Sequence, residues 1–104
     1  MDLFKVMQQA QQVQTKLQEV QEELARVTVT GVAGGGLVRV DADGKGTIKR
    51  VRIDPSAVKA DDVEGLEDLV TAATADAQRR ATEYAQAEVK KLTGGLNLPF
   101  PMPF

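Results

Sequence analysis

Eight apolar residues set the first limit on what this chain can become. Leu3, Val6, Ala10, Val13, Leu17, Val20, Leu24 and Val27 follow one another at alternating spacings of three and four. That spacing is a heptad seam, and it continues for about three and a half repeats. The residues between are mostly Gln, Glu and Lys, good helix formers with no Gly or Pro to interrupt them. Asp2 stands where an N-cap belongs. Residues 3–27 are therefore expected to form one long helix with a narrow apolar stripe. The narrow stripe favours a helix–helix seam, within the chain or with a second copy, over a surface helix of a globular domain, whose apolar face would be broader.

The helical pattern stops at "RVTVTGV", where β-branched residues alternate with Val27 and Val29 on one side and Thr28 and Thr30 on the other. Gly31 to Gly36 holds four glycines in six positions and reads as the turn out of a first strand. The run fits the opening of the phosphate-binding pattern G-x-x-x-x-G-K-[ST], but Leu37 and Val38 stand where Lys and Ser or Thr are required. No helix follows to present its amides to an anion. The glycines turn a strand and hold no nucleotide.

In "LVRVDA", Val38, Val40 and Ala42 face one way and Leu37, Arg39 and Asp41 the other. Asp43-Gly44 is a hairpin signal. "TIKRVRID" makes a third strand, with Val51 and Ile53 on one face and Arg50 and Arg52 on the opposite one. The three strands form an antiparallel meander, apolar on one face and largely cationic on the other. Asp54-Pro55-Ser56 starts a turn, and the acids Asp61, Asp62 and Glu64 mark the start of a second long helix, where the dipole favours them. That helix runs to about Leu92 with an alanine-rich stripe of Leu66, Leu69, Val70, Ala73, Ala77, Ala81, Tyr84 and Ala85. Gly94 and Gly95 stop it. The expected fold class is α+β: a long N-terminal helix, a three-stranded antiparallel meander and a long C-terminal helix. Residues 1–95 are expected as one helix-meander-helix domain and residues 96–104, "LNLPFPMPF", as a proline-rich tail.

The chain of 104 residues carries neither Cys nor His, which removes disulfides, thiolate metal sites and the commonest general base. Ser56 is the lone serine, and nothing stands ready to activate it. Asp41-x-Asp43-Gly44 resembles part of a calcium loop, but Arg52 occupies the position of the bidentate acid. No catalytic constellation, cofactor or small-molecule substrate is expected. No apolar run has the length of a membrane span, and a cytoplasmic protein is the expectation. Net charge is −2, but it is unevenly spread. Arg39, Lys45, Lys49, Arg50 and Arg52 cluster in the meander against only Asp41 and Asp43, whereas residues 61–76 hold acids without a base.

Taken in order, "MQQAQQVQTKLQEVQEELA", "VTGVAGGGLVRV", "DGKGTIKRVRIDPS", "LEDLVTAATADAQRRA" and "TGGLNLP" resemble the YbaB/EbfC family of bacterial nucleoid-associated proteins. The glycine turn after "VTG" and the stretch Val51, Ile53, Asp54, Pro55, Ser56 are the most specific parts. The resemblance implies a tweezer-like homodimer with sheets at its centre and helices as arms. It also implies binding to double-stranded DNA with limited sequence preference, a nucleoid location, and links to recombination or replication proteins. Candidate DNA contacts are Arg39, Lys45, Lys49, Arg50 and Arg52 on the meander. On the helical arms they are Lys5, Lys16 and Arg26 in the first helix and Arg79, Arg80, Lys90 and Lys91 in the second. No recognition helix with clustered Arg and Asn stands out, so contacts should be mainly to phosphates. The alternative is a protein adaptor that docks partners on the heptad helix and the tail.

Overall fold

The computed structural model describes residues 2–93. The chain runs α1 (Leu3–Arg26), β1 (Thr28–Ala33), β2 (Val38–Asp43), β3 (Ile48–Ile53) and α2 (Val63–Thr93), with short 3-10 turns at Gly34–Gly36 and Pro55–Ala57. The strands form one antiparallel sheet in the order β1-β2-β3. This is the α+β architecture the sequence predicts. Gly94, Gly95 and the proline-rich tail lie outside the described residues.

Local chemistry explains where the elements begin. Asp2 caps α1, its carboxylate accepting the Phe4 N–H at 3.1 Å. Asp62 does the same for α2 through the Gly65 N–H at 3.1 Å. Asp54 accepts both the Ser56 N–H at 2.9 Å and the Ser56 hydroxyl at 2.7 Å, closing the turn after β3. Those two bonds, the backbone one first, hold the Asp54 carboxyl below its usual range. In the β2–β3 connection, Asp43 is buried and its carboxylate accepts the N–H groups of Lys45 and Thr47.

Cross-strand register gives the sheet two chemically different faces. Val38 pairs with Ile53 and Val40 with Val51, so these four share a face. On that face α2 lies across β1 and β2, and Val38, Val40, Ala42, Ala73 and Ala77 are completely buried. Leu66, Leu69 and Val70 close the edge of this core. Each fully buried Val contributes about 1.5–3 kcal/mol. β3 lies beyond the helix, and its apolar side chains Ile48, Val51 and Ile53 remain 37–42% exposed.

Gly31 departs from the sequence reading. It is a strand residue paired with Val40, not part of the turn, which is confined to Gly34–Gly36. The cause is the helix above it: a Cβ at Gly31 would run into the carbonyl oxygen of Ala73 and the amide nitrogen of Ala77. Its glycine therefore serves close approach of helix to strand. Left-handed backbone is needed one turn later, at Gly34 to Gly36, where φ is 62°, 69° and 99°.

The stripe on α1 divides in two. Leu24 is buried against the β2–β3 turn, where its carbonyl accepts the Gly44 N–H at 2.7 Å. Val13, Leu17 and Val20 are half-buried, while Leu3, Phe4, Val6 and Met7 are 43–73% exposed. On α2 the small residues recur every fourth position, and Ala81, Ala85 and Val89 are buried past the end of the sheet. The result is an elongated body, 70 × 22 × 16 Å.

Candidate nucleic-acid interface

The sheet face turned away from α2 carries Thr28, Thr30 and Val32 from β1, Arg39 and Asp41 from β2, and Arg50 and Arg52 from β3. Register places Arg39 opposite Arg52 and Asp41 opposite Arg50. Asp41 accepts from the Thr30 hydroxyl at 2.8 Å and from Arg52 Nη2 at 2.9 Å. The Thr30 bond is the main reason its carboxyl sits below the usual range, with Arg52 and Arg50 adding to it. Asp41 is thus tied to Arg52. Arg39 and Arg50 are exposed and make no ion pair among the described residues. The face thus brings together three guanidinium groups, two of them without an ion pair among the described residues. Arg presents a planar fork of donors that matches phosphate oxygens.

Lys49 does not join them. The register slips between Asp41 and Ala42, so Lys49 stands unpaired in a β-bulge between Arg50 and Ile48. Its Nζ donates to the Ala25 carbonyl oxygen at 3.2 Å, capping the end of α1. The alternation in the sequence carries no mark of this bulge. Lys45 is exposed in the β2–β3 turn.

The helical cations form separate groups. Lys5 and Lys16 lie three turns apart on one side of α1, and Arg26 is exposed in its last turn. Arg79 and Lys90 share one line of α2, and Arg80 and Lys91 the next. Arg79 reaches Asp76 at 2.6 Å and Glu83 at 3.0 Å, Arg80 reaches Asp76 at 3.1 Å, and Lys91 reaches Glu88 at 3.2 Å. Lys5, Lys16, Arg26 and Lys90 have no ion pair among the described residues.

Asp76 escapes the sequence reading as more than a member of an acidic run. Its Oδ2 accepts the backbone N–H of Val32 at 3.0 Å, a donor on the outer edge of β1, while both following arginines hold the same carboxylate. The Val32 bond is the largest influence on it, ahead of Arg80 and Arg79, and its carboxyl is drawn down to about 2. The available signal was its spacing, since Arg79 and Arg80 follow at three and four residues.

The chain is a helix-meander-helix unit with three arginines on its free sheet face and charges of both signs along its two helices. Residues 1–96 match the YbaB/EbfC DNA-binding family, and the chain belongs to it. It is 47% identical over its full length, and the full length of the relative, to a nucleoid-associated protein of Gemmatimonas aurantiaca. A nucleoid-associated protein of Desulfotalea psychrophila is 48% identical over 95% of this chain and 93% of its own. The fold is also that of a Helicobacter pylori protein of uncharacterised role, whose crystal structure superposes with a TM-score of 0.79. That similarity covers 90% of this chain and 99% of the other at 21% identity. The family is a DNA-binding one and not a family of enzymes. Among the described residues no helix is long and apolar enough to cross a membrane.

Proposed function

We propose that this chain acts as a homodimeric nucleoid-associated protein that grips double-stranded DNA mainly by its phosphates. The observation that carries this reading is the pair Arg39 and Arg50, exposed and unpaired on the free sheet face of a member of a DNA-binding family. Arg52 joins them when a phosphate competes with Asp41. The −2 net charge does not oppose this, because the acids concentrate at the start of α2 and the sheet face stays basic.

The dimer reading rests on β3. It is the open edge of the sheet, whereas Asp76 already occupies the Val32 donor on the β1 edge. Val51 and Ile53 overhang α2 with about two-fifths of their surface in water. A second β3 would cover them, and it would place two Arg39, Arg50, Arg52 sets on one continuous surface. Doubling the set across a two-fold axis suits the near-symmetry of a duplex backbone.

Binding of this kind releases counterions, so its affinity should fall steeply with salt. Six arginine–phosphate contacts in the dimer imply a log–log slope of about −5, or roughly a thousandfold loss between about 50 and 200 mM salt. Titrating a duplex of arbitrary sequence with the protein at several salt concentrations measures this. A salt-insensitive interaction would favour the protein-adaptor reading, for which the exposed apolar end of α1 is the supporting observation.

A further inference from the structure

The free end of α1 presents an apolar surface in water that neither DNA contact nor pairing at β3 uses. Leu3 is 73% exposed, Phe4 70%, Met7 61% and Val6 43%. With Ala10 they occupy one side of the helix, and Lys5 lies on the opposite side. Phe4, Met7 and Ala10 line a shallow depression bordered by Gln8, Gln11 and Gln14. A patch of this kind, rimmed by polar amides, marks a contact surface.

Helix geometry explains why it is bare. Both helices leave the sheet at the β2–β3 turn: the Leu24 carbonyl accepts the Gly44 N–H, and Gln78 Nε2 donates to the Gly46 carbonyl. From that level α2 advances about 22 Å to Thr93, whereas α1 extends about 31 Å to Leu3. The first two turns of α1 therefore project past the last described residue of α2. The chain continues from that point. Residues 94–104 read "GGLNLPFPMPF", with Leu96, Leu98, Phe100, Met102 and Phe104 at every second position and no charged side chain.

We infer that this C-terminal segment lies along the exposed stripe of its own α1 and forms the missing apolar cover of the helix tip. Eleven residues at about 3.1 Å each span roughly 34 Å in the extended form that Pro99, Pro101 and Pro103 favour, more than the overhang requires. The prolines pre-set that conformation, so little entropy is lost on docking. The segment follows Thr93 directly in the chain, and this tether gives it a high local concentration over any outside partner. The inference is independent of the DNA reading. If it holds, the apolar tip is filled from within and is not the docking point of an adaptor.

The test places a photoreactive benzoylphenylalanine at Phe100 of the full chain. Equal amounts of ¹⁵N-labelled and unlabelled protein are unfolded and refolded together, irradiated and digested for mass spectrometry. The expected result is crosslinks from position 100 to residues 3–10 that join only peptides of the same isotope class. A Phe4→Gln, Met7→Gln double variant, altered at exposed positions, should lower the yield roughly tenfold while leaving the far-ultraviolet helix signal unchanged. Crosslinks joining labelled to unlabelled peptides would assign the stripe to a second copy's tail and overturn the proposal. So would crosslinks absent from residues 3–10, or a yield that survives the double variant.

Discussion

Arg39 and Arg52 face each other across β2 and β3, and among the described residues only Arg52 has a carboxylate to hold. Like charges directly opposite in a sheet oppose folding. A fold selected only for stability has no reason to keep Arg39 there, whereas a phosphate surface does. Arg39→Ala is therefore expected to leave stability unchanged or raise it by up to about 0.5 kcal/mol, while weakening DNA binding. Urea unfolding and duplex titration on the same preparation check both halves. Lys49→Ala should lower DNA affinity far less than Arg50→Ala, because the Lys49 ammonium is engaged with the Ala25 carbonyl.

At Gly31 α2 lies close against the sheet, with the Ala77 Cα only 2.7 Å from where a Cβ would stand. The obstruction is backbone, and it cannot swing away as a side chain would. Gly31→Ala is expected to cost about 3 kcal/mol, at the upper end for overpacking. Gly35→Ala meets no atom within 4 Å and pays only for its positive φ, so it should cost less. The difference in urea midpoint between the two variants measures the gap.

The Asp76 carboxylate bridges β1 to α2, and its pKa falls from 3.8 to about 2 in the folded chain. A carboxyl lowered on folding stabilises the native state fully above its unfolded value. That contribution is lost as pH falls toward and through about 2. Wild-type stability should thus decline between about pH 4 and pH 2. Asp76→Ala should be less stable at pH 7 and show a shallower decline across that window. Thermal melts from pH 2 to pH 7 provide the comparison.

Val51→Asp places a charge on the overhanging apolar face of β3, at a position already 42% exposed in the single chain. The fold should survive with an unchanged far-ultraviolet spectrum. Light scattering should then give the mass of one chain for the variant and of two for the unaltered protein. A variant that stays dimeric would move the interface away from β3.

Periodicity made most of the fold legible. Alternation in "LVRVDA" and "TIKRVRID" assigns Val38, Val40, Val51 and Ile53 to one face and Arg39, Arg50 and Arg52 to the other, as the register shows. The alanine stripe of α2 marks its buried side. Three features were not readable because they depend on contacts distant in sequence. Gly31 looks like a turn glycine until α2 is laid over it. Lys49 looks like part of a regular strand, although a bulge turns it toward the end of α1. The heptad stripe is uniform along the sequence, yet its burial stops near Val13, close to where α2 runs out. The helical cations illustrate the same limit. Arg79 and Arg80 have the composition of DNA contacts, but the structure engages both with Asp76.

If the arginine face of the sheet binds phosphates, Arg39 and Arg50 must set the salt dependence of duplex binding. Fluorescence anisotropy of a labelled duplex of arbitrary sequence would be measured over a range of salt for the unaltered protein and for Arg39→Ala, Arg50→Ala together. In a dimer the double variant removes four contacts, so the log–log slope should become shallower by about three to four. An unchanged slope with unchanged affinity would rule out the sheet face and transfer the DNA contacts to Lys5, Lys16, Arg26 and Lys90 on the helical arms.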